Sequence, residues 1–187
     1  MALTRLVIDG YGQVELNNVA FRRDGRIEAQ CAPDTTDFAT DVLENGMLLA
    51  VDNVARTVKY AVDSSLPIAL NYSTEHIYDE RTPGLKNFKL NGKDDFYPRL
   101  GYLSIGDKFT TNCISYDAAS DSDWTDESAF LSALDAYASS ALYGGVSSDG
   151  SIKVSATAPS FGPVLRVVKK TTMPDGTLGI KFQCYAE

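Results

Sequence analysis

Apolar residues recur along this chain in short alternating runs, and one stretch repeats them at helical spacing. Alternation with period two places side chains on opposite faces of a strand. Arg5-Leu6-Val7-Ile8 and Gln13-Val14-Glu15-Leu16 read as extended pieces around the loop signal Asp9-Gly10-Tyr11-Gly12. Val19-Ala20-Phe21 and Arg26-Ile27-Glu28-Ala29 flank Arg22-Arg23-Asp24-Gly25, where Asp-Gly favours a hairpin. Pro33 to Asn45 turns polar and acidic, as in a linker or exposed loop. Met47-Leu48-Leu49-Ala50-Val51 is a run of the buried type. It is joined to Thr57-Val58-Lys59-Tyr60-Ala61-Val62 through a turn at 52–56, which predicts a hairpin. Leu66 to Tyr72 is a further strand, and 73–98 reads as loop with turns at Thr82-Pro83-Gly84 and Asn91-Gly92.

Leu100–Ile105 and Lys108–Ile114 are expected to pair across Gly106-Asp107. A helix is predicted over 126–142, from Ala129, Phe130, Ala133, Leu134, Tyr137, Ala138, Ala141 and Leu142. Thr125 is its expected cap and Gly144-Gly145 its stop, with Trp124 packed beside the start. Ser151–Ala156, Val164–Lys169 and Gly179–Tyr185 close the pattern as strands, the last two joined by Pro174-Asp175-Gly176. The expected fold is mainly β: a small barrel or sandwich with one amphipathic helix and an extended N-terminal arm. Residues 1–43 would be that arm or extended strands. Residues 44–187 would form a β-barrel-like domain with a helix-containing insertion at about 117–143.

Charge narrows the partners. The 187 residues carry a formal net charge of −8. Wrapping nucleic acid requires a basic face, so direct nucleic-acid binding is not expected. No run of about 18 apolar residues is present, so no membrane-spanning helix is expected. Cys31, Cys113 and Cys184 are odd in number and far apart, which suggests reduced thiols.

Candidate chemistry is sparse. His76 is the single histidine, flanked by Glu75, Asp79 and Glu80. A hydrolase would have to use it, and no partner nucleophile is evident. Asp117, Asp121, Asp123, Asp126, Glu127 and Asp135 form an acidic run. Asp121-Ser122-Asp123-Trp124-Thr125 has the alternating oxygens of a calcium loop. It lacks the central glycine, and its twelfth position is Ser132 rather than glutamate, so a solvated helix entrance is the plainer reading. No catalytic residue, metal site or cofactor is therefore expected. Arg22, Arg23 and Arg26 are the densest basic cluster, suited to a solvated turn or to an acidic partner.

Several phrases carry a resemblance. They are Glu44–Asp52, Pro67–Glu75, Pro83–Phe88, Pro98–Asn112 and Val167–Gly176. Together they resemble structural proteins of tailed bacteriophages, of the head-decoration or capsid-cement type. The acidic helix segment 117–143 has no counterpart in that pattern. The resemblance implies a non-enzymatic protein on the outside of the virion, made in the bacterial host cytoplasm. It implies the major capsid protein as partner, and trimeric self-association by analogy. Such a protein bridges shell subunits against internal genome pressure, many weak copies acting together. An N-terminal arm could add a strand to a capsid sheet, with Arg5, Arg22, Arg23 and Arg26 as capsid-contact candidates. Alternatives are a minor tail or head–tail connector component, a glycan-binding host-attachment module that uses exposed tyrosines, and a small hydrolase built on His76.

Overall fold

The computed structural model describes residues 4–6, 12–21, 27–41, 43–62, 65–73, 97–116 and 124–186. Among the described residues, thirteen strands form two sheets and one helix accompanies them, so the mainly-β expectation holds. The strands are β1 (Thr4–Arg5), β2 (Val14–Asn18), β3 (Ala32–Pro33), β4 (Leu48–Asp52), β5 (Thr57–Tyr60), β6 (Ile68–Asn71), β7 (Leu100–Gly101), β8 (Lys108–Thr111), β9 (Ile114–Tyr116), β10 (Tyr143–Gly145), β11 (Ile152–Ser155), β12 (Val164–Thr172) and β13 (Leu178–Ala186). The helix α1 spans Glu127–Asp135.

The large sheet has the order β1-β9-β11-β10-β12-β13-β8-β2, and the small sheet the order β3-β5-β4-β6-β7. Pairing is antiparallel except at β9–β11 and β3–β5. The large sheet cannot be flat. In its order β9 and β8 stand five strand steps apart, about 24 Å if planar. In sequence only Asn112-Cys113 separates them, a link that reaches at most about 11 Å between Thr111 and Ile114. The sheet therefore curls until its second and seventh strands meet, a half-barrel. Phe109, Ile114, Tyr116, Ile152, Val154, Leu165, Val167, Ile180 and Phe182 fill its concave side.

The small sheet is apolar on both faces, which explains the unbroken run at 47–51. Leu48 and Leu70 point into the half-barrel core. Leu49, Val51, Val58 and Ala69 face a second core with Phe38, Leu43, Leu100 and Cys113. The polar stretch 33–45 is therefore not a linker. Its Phe38 and Leu43 are fully buried and cover the small sheet. The described strands within residues 1–43, β1, β2 and β3, pair with β9, β8 and β5.

Three local expectations need correction. The segments 100–105 and 108–114 do not pair with each other, because β7 joins β6 and β8 joins β13 and β2. Between them the buried carboxylate of Asp107 accepts from the N–H groups of Ser104 (2.9 Å), Ala20 (2.8 Å) and Phe21 (3.1 Å), fixing the crossing between sheets. Residues 27–29 do not pair back onto 19–21 among the described residues; Glu28 bridges to Leu100 instead. Arg22, Arg23 and Arg26 of the intended hairpin turn lie outside the described residues.

The helix is the third correction, since it ends at Asp135 rather than 142. Asp126, not Thr125, is its cap: extended at φ −159, it accepts from Ala129 N–H at 2.9 Å. Gly144 and Gly145 do not stop it; they lie inside β10. A Cβ on Gly144 would meet Ile152 and Phe182, and one on Gly145 would meet Pro159. They are glycine because the strand is crowded on both faces. Phe130 stacks on Tyr116 with centroids 4.7 Å apart, and Trp124 meets Phe130 edge-on at 5.0 Å, as expected for a packed anchor.

Candidate binding face

Strand alternation sorts the convex side of the large sheet. Inward residues of β13 are Ile180, Phe182 and Cys184, so Lys181, Gln183 and Tyr185 face outward. The register carries this across the sheet. Lys181 stands opposite Lys169 of β12 and Thr110 of β8, and Gln183 stands opposite Arg166 and Lys108. Tyr143 of β10 continues the row from Arg166 to Ser155. The outward strand positions thus carry Lys108, Lys153, Arg166, Lys169 and Lys181, against one carboxylate, Glu15 of β2.

A bulge between Val167 and Lys169 decides which lysine is where. It adds Val168 to β12 and flips the alternation beyond it. Lys169 is turned outward beside Lys181, and Lys170 inward, where its Nζ meets Asp135 of α1 at 2.6 Å. Arg166 lies over the Tyr185 ring, 5.9 Å from its centroid. A cleft of about 410 Å³ adjoins this face. It is lined by Lys153, Ser155, Thr157, Ser160 and Phe161, where the 157–161 loop folds back over β10.

The far edge of the same sheet treats its cation differently. Arg5 of β1 pairs with Ser115 of β9 in the ladder and is three-quarters buried from solvent. Its Nη2 donates to Glu44 Oε2 at 2.8 Å, and its Nη1 lies 3.8 Å from Asp149 Oδ2. Asp149 Oδ1 accepts from Ser151 N–H at 3.0 Å and from the Ser147 hydroxyl at 2.6 Å, while Ser151 Oγ donates to Ser115 Oγ at 2.7 Å. Burial opposes the Arg5 charge, but the carboxylates of Glu44 and Asp149 outweigh it and raise its pKa. Burial pushes the adjacent Cys113 thiol up to about 12, so it stays protonated and inert. Ser115 and Ser151 are wholly buried and Ser147 nearly so, out of reach of a substrate. This cluster anchors the first strand to the body, and Arg5 is engaged inside the protein rather than offered to a partner.

Of the other sequence candidates, His76, Asp117, Asp121 and Asp123 lie outside the described residues. Asp126 caps α1, Glu127 sits in its first turn and Asp135 holds Lys170. Among the described residues, no three His, Cys, Asp or Glu side chains gather to hold a metal ion. No described helix is long and apolar enough to cross a membrane. All three cysteines are free and buried. The convex basic face escaped sequence reading because its members are distant in the chain. The signal that could have found it was the repeated outward lysine of β8, β11, β12 and β13. No protein-family model, curated protein or solved structure matches the chain.

Proposed function

We propose that this chain is a non-enzymatic structural protein of a tailed-bacteriophage particle, a decoration protein on the outer head lattice. The observation that carries the reading is where the resembling phrases fall. Glu44–Asp52, Pro67–Glu75, Pro98–Asn112 and Val167–Gly176 contain β4, β6, β7, β8 and much of β12. These strands join the two sheets and supply part of the convex basic face, so these four phrases lie largely in the framework; the fifth, Pro83–Phe88, lies outside the described residues. The part without counterpart contains α1, which packs onto that framework through Phe130 and Leu134.

The physical logic needs no chemistry at this surface. A compact β body bound at many shell positions shares load across subunit boundaries, and weak contacts suffice when many act together. Quantitative mass spectrometry of purified particles, comparing this chain with the major capsid protein, tests the reading. Hundreds of copies in a fixed ratio to the capsid subunit are expected. A handful would assign it to the tail or the head–tail connector, and absence from the particle would overturn the proposal.

A further inference from the structure

We infer that the convex face formed by β8, β12 and β13 is a docking surface for a carboxylate-rich protein face. Naming the phage shell as that face rests on the functional proposal above; the chemistry of the surface does not.

Three observations carry it. The first is a like-charge pair. Lys169 and Lys181 are direct cross-strand partners, which places their Cβ atoms about 5 Å apart. Like charges directly opposite destabilise a sheet, so this pair does not serve the isolated fold. A single carboxylate from outside could reach both ammonium groups. The bulge at Val167/Lys169 creates the arrangement, since bulges re-aim side chains.

The second is the lack of internal neutralisation. Among the described residues, Lys108, Arg166, Lys169 and Lys181 form no ion pair, whereas Arg5, Lys59 and Lys170 do. The third is the apolar content of the patch. Tyr185 is 58% exposed and Val168 37%, both among the cations. Tyrosine and arginine in company are the residues that anchor interfaces.

Charge also chooses between partner classes. The patch is basic, but the chain as a whole is −8. At physiological salt the local positive field extends about one Debye length, roughly 8 Å. A long polyanion such as duplex DNA would run past the patch into the acidic remainder. A compact acidic protein face meets the patch alone.

The test uses the full chain and two variants: Lys108→Glu/Lys169→Glu/Lys181→Glu, and the same three positions changed to Arg. Thermal melts establish that each is folded. Binding is measured to heads purified from phage lacking this protein, from 50 to 300 mM NaCl, and separately to polyglutamate and to duplex DNA. The inference expects heads and polyglutamate to bind the native chain and the Arg variant, with affinity falling as salt rises. The Glu variant should lose at least about 100-fold. If native chain and Glu variant bind heads equally, the docking surface is wrong and the decoration role stands. If heads bind neither, while polyglutamate binds the native chain and not the Glu variant, the decoration role is wrong and the docking surface stands. Tighter binding to duplex DNA than to polyglutamate would overturn the inference in favour of a nucleic-acid partner.

Discussion

Two regions of the large sheet, the edge strand β1 and the interior pair β12–β13, handle positive charge in opposite ways. At β1, Arg5 is withdrawn from solvent and held by Glu44 and Asp149. At β12 and β13, Lys169 and Lys181 face each other with no carboxylate between them. The difference follows from solvation. A buried charge without a partner costs several kcal/mol, so burial enforces pairing. Lysines that reach solvent keep their water, as exposed Lys169 and half-buried Lys181 do, and an adverse pair costs only a few tenths to about 1 kcal/mol. Unpaired charge is therefore tolerable only where it is wet, and there it remains available to a partner.

The largest expected effect breaks the buried edge. Arg5→Ala leaves Glu44, whose side chain is 7% exposed, without its cation. Urea denaturation should show a loss of about 3–5 kcal/mol. The double change Arg5→Met/Glu44→Leu should recover most of that loss, because an apolar pair removes both desolvation penalties. A double variant as unstable as Arg5→Ala would show that the cluster matters for more than charge pairing.

Thiol reactivity sharpens the contrast at the same edge. Cys31, Cys113 and Cys184 are all buried, and the Cys113 pKa of about 12 leaves almost no thiolate at pH 8.5. Iodoacetamide should label none of them in the folded protein and all of them in urea. Labelling of Cys113 without unfolding would mean that the Arg5 edge opens locally.

A smaller effect of opposite sign belongs to the wet face of β12 and β13. Lys169→Glu turns the like-charge pair with Lys181 into an attractive one. It should stabilise the fold by about 0.2–1 kcal/mol, and the gain should shrink in high salt. A loss would mean that the two ammonium groups do not feel each other.

The smallest effect concerns Asp52. Its carboxylate accepts from Ala55 N–H at 2.9 Å and Val54 N–H at 3.0 Å, and its other oxygen meets Lys59 at 3.3 Å. The Ala55 bond foremost holds its pKa below the ordinary aspartate value. A depressed folded pKa gives stability that is present above the unfolded value and lost as pH falls through the folded one. Asp52→Asn should therefore flatten the acid limb of a stability–pH profile slightly. An unchanged limb would rule out Asp52 as a contributor.

How far the sequence could be read depended on whether the deciding contacts were local. The 47–60 hairpin was legible because an unbroken apolar run, a β-branched return strand and an Asp turn all lie within a few residues. The start of α1 was legible to within one residue of its cap. Its end was not, because Gly144 and Gly145 answer to Ile152, Phe182 and Pro159, which only the tertiary fold brings near. Phe38 and Leu43 hid in an acidic stretch whose average polarity masked two fully buried anchors. The densest basic run in sequence, Arg22-Arg23 with Arg26, drew attention because its members are neighbours. The basic face instead collects Lys108, Arg166 and Lys181 through strand pairing, and a bulge decides whether Lys169 or Lys170 joins them. No spacing rule reports a bulge in advance.

The curl of the large sheet has a consequence for synthesis. β8 leads at once into β9, yet its own partner β13 ends 75 residues after β8 does, at 186 against 111. At typical translation rates of about 5–20 residues per second, that wait is roughly 4–15 s. Throughout it, β8 offers an unpaired flank between strands already made, open to pairing with another nascent chain. A ribosome that stalls before residue 178 leaves that flank permanently open, so early termination should yield aggregates rather than a shortened soluble body.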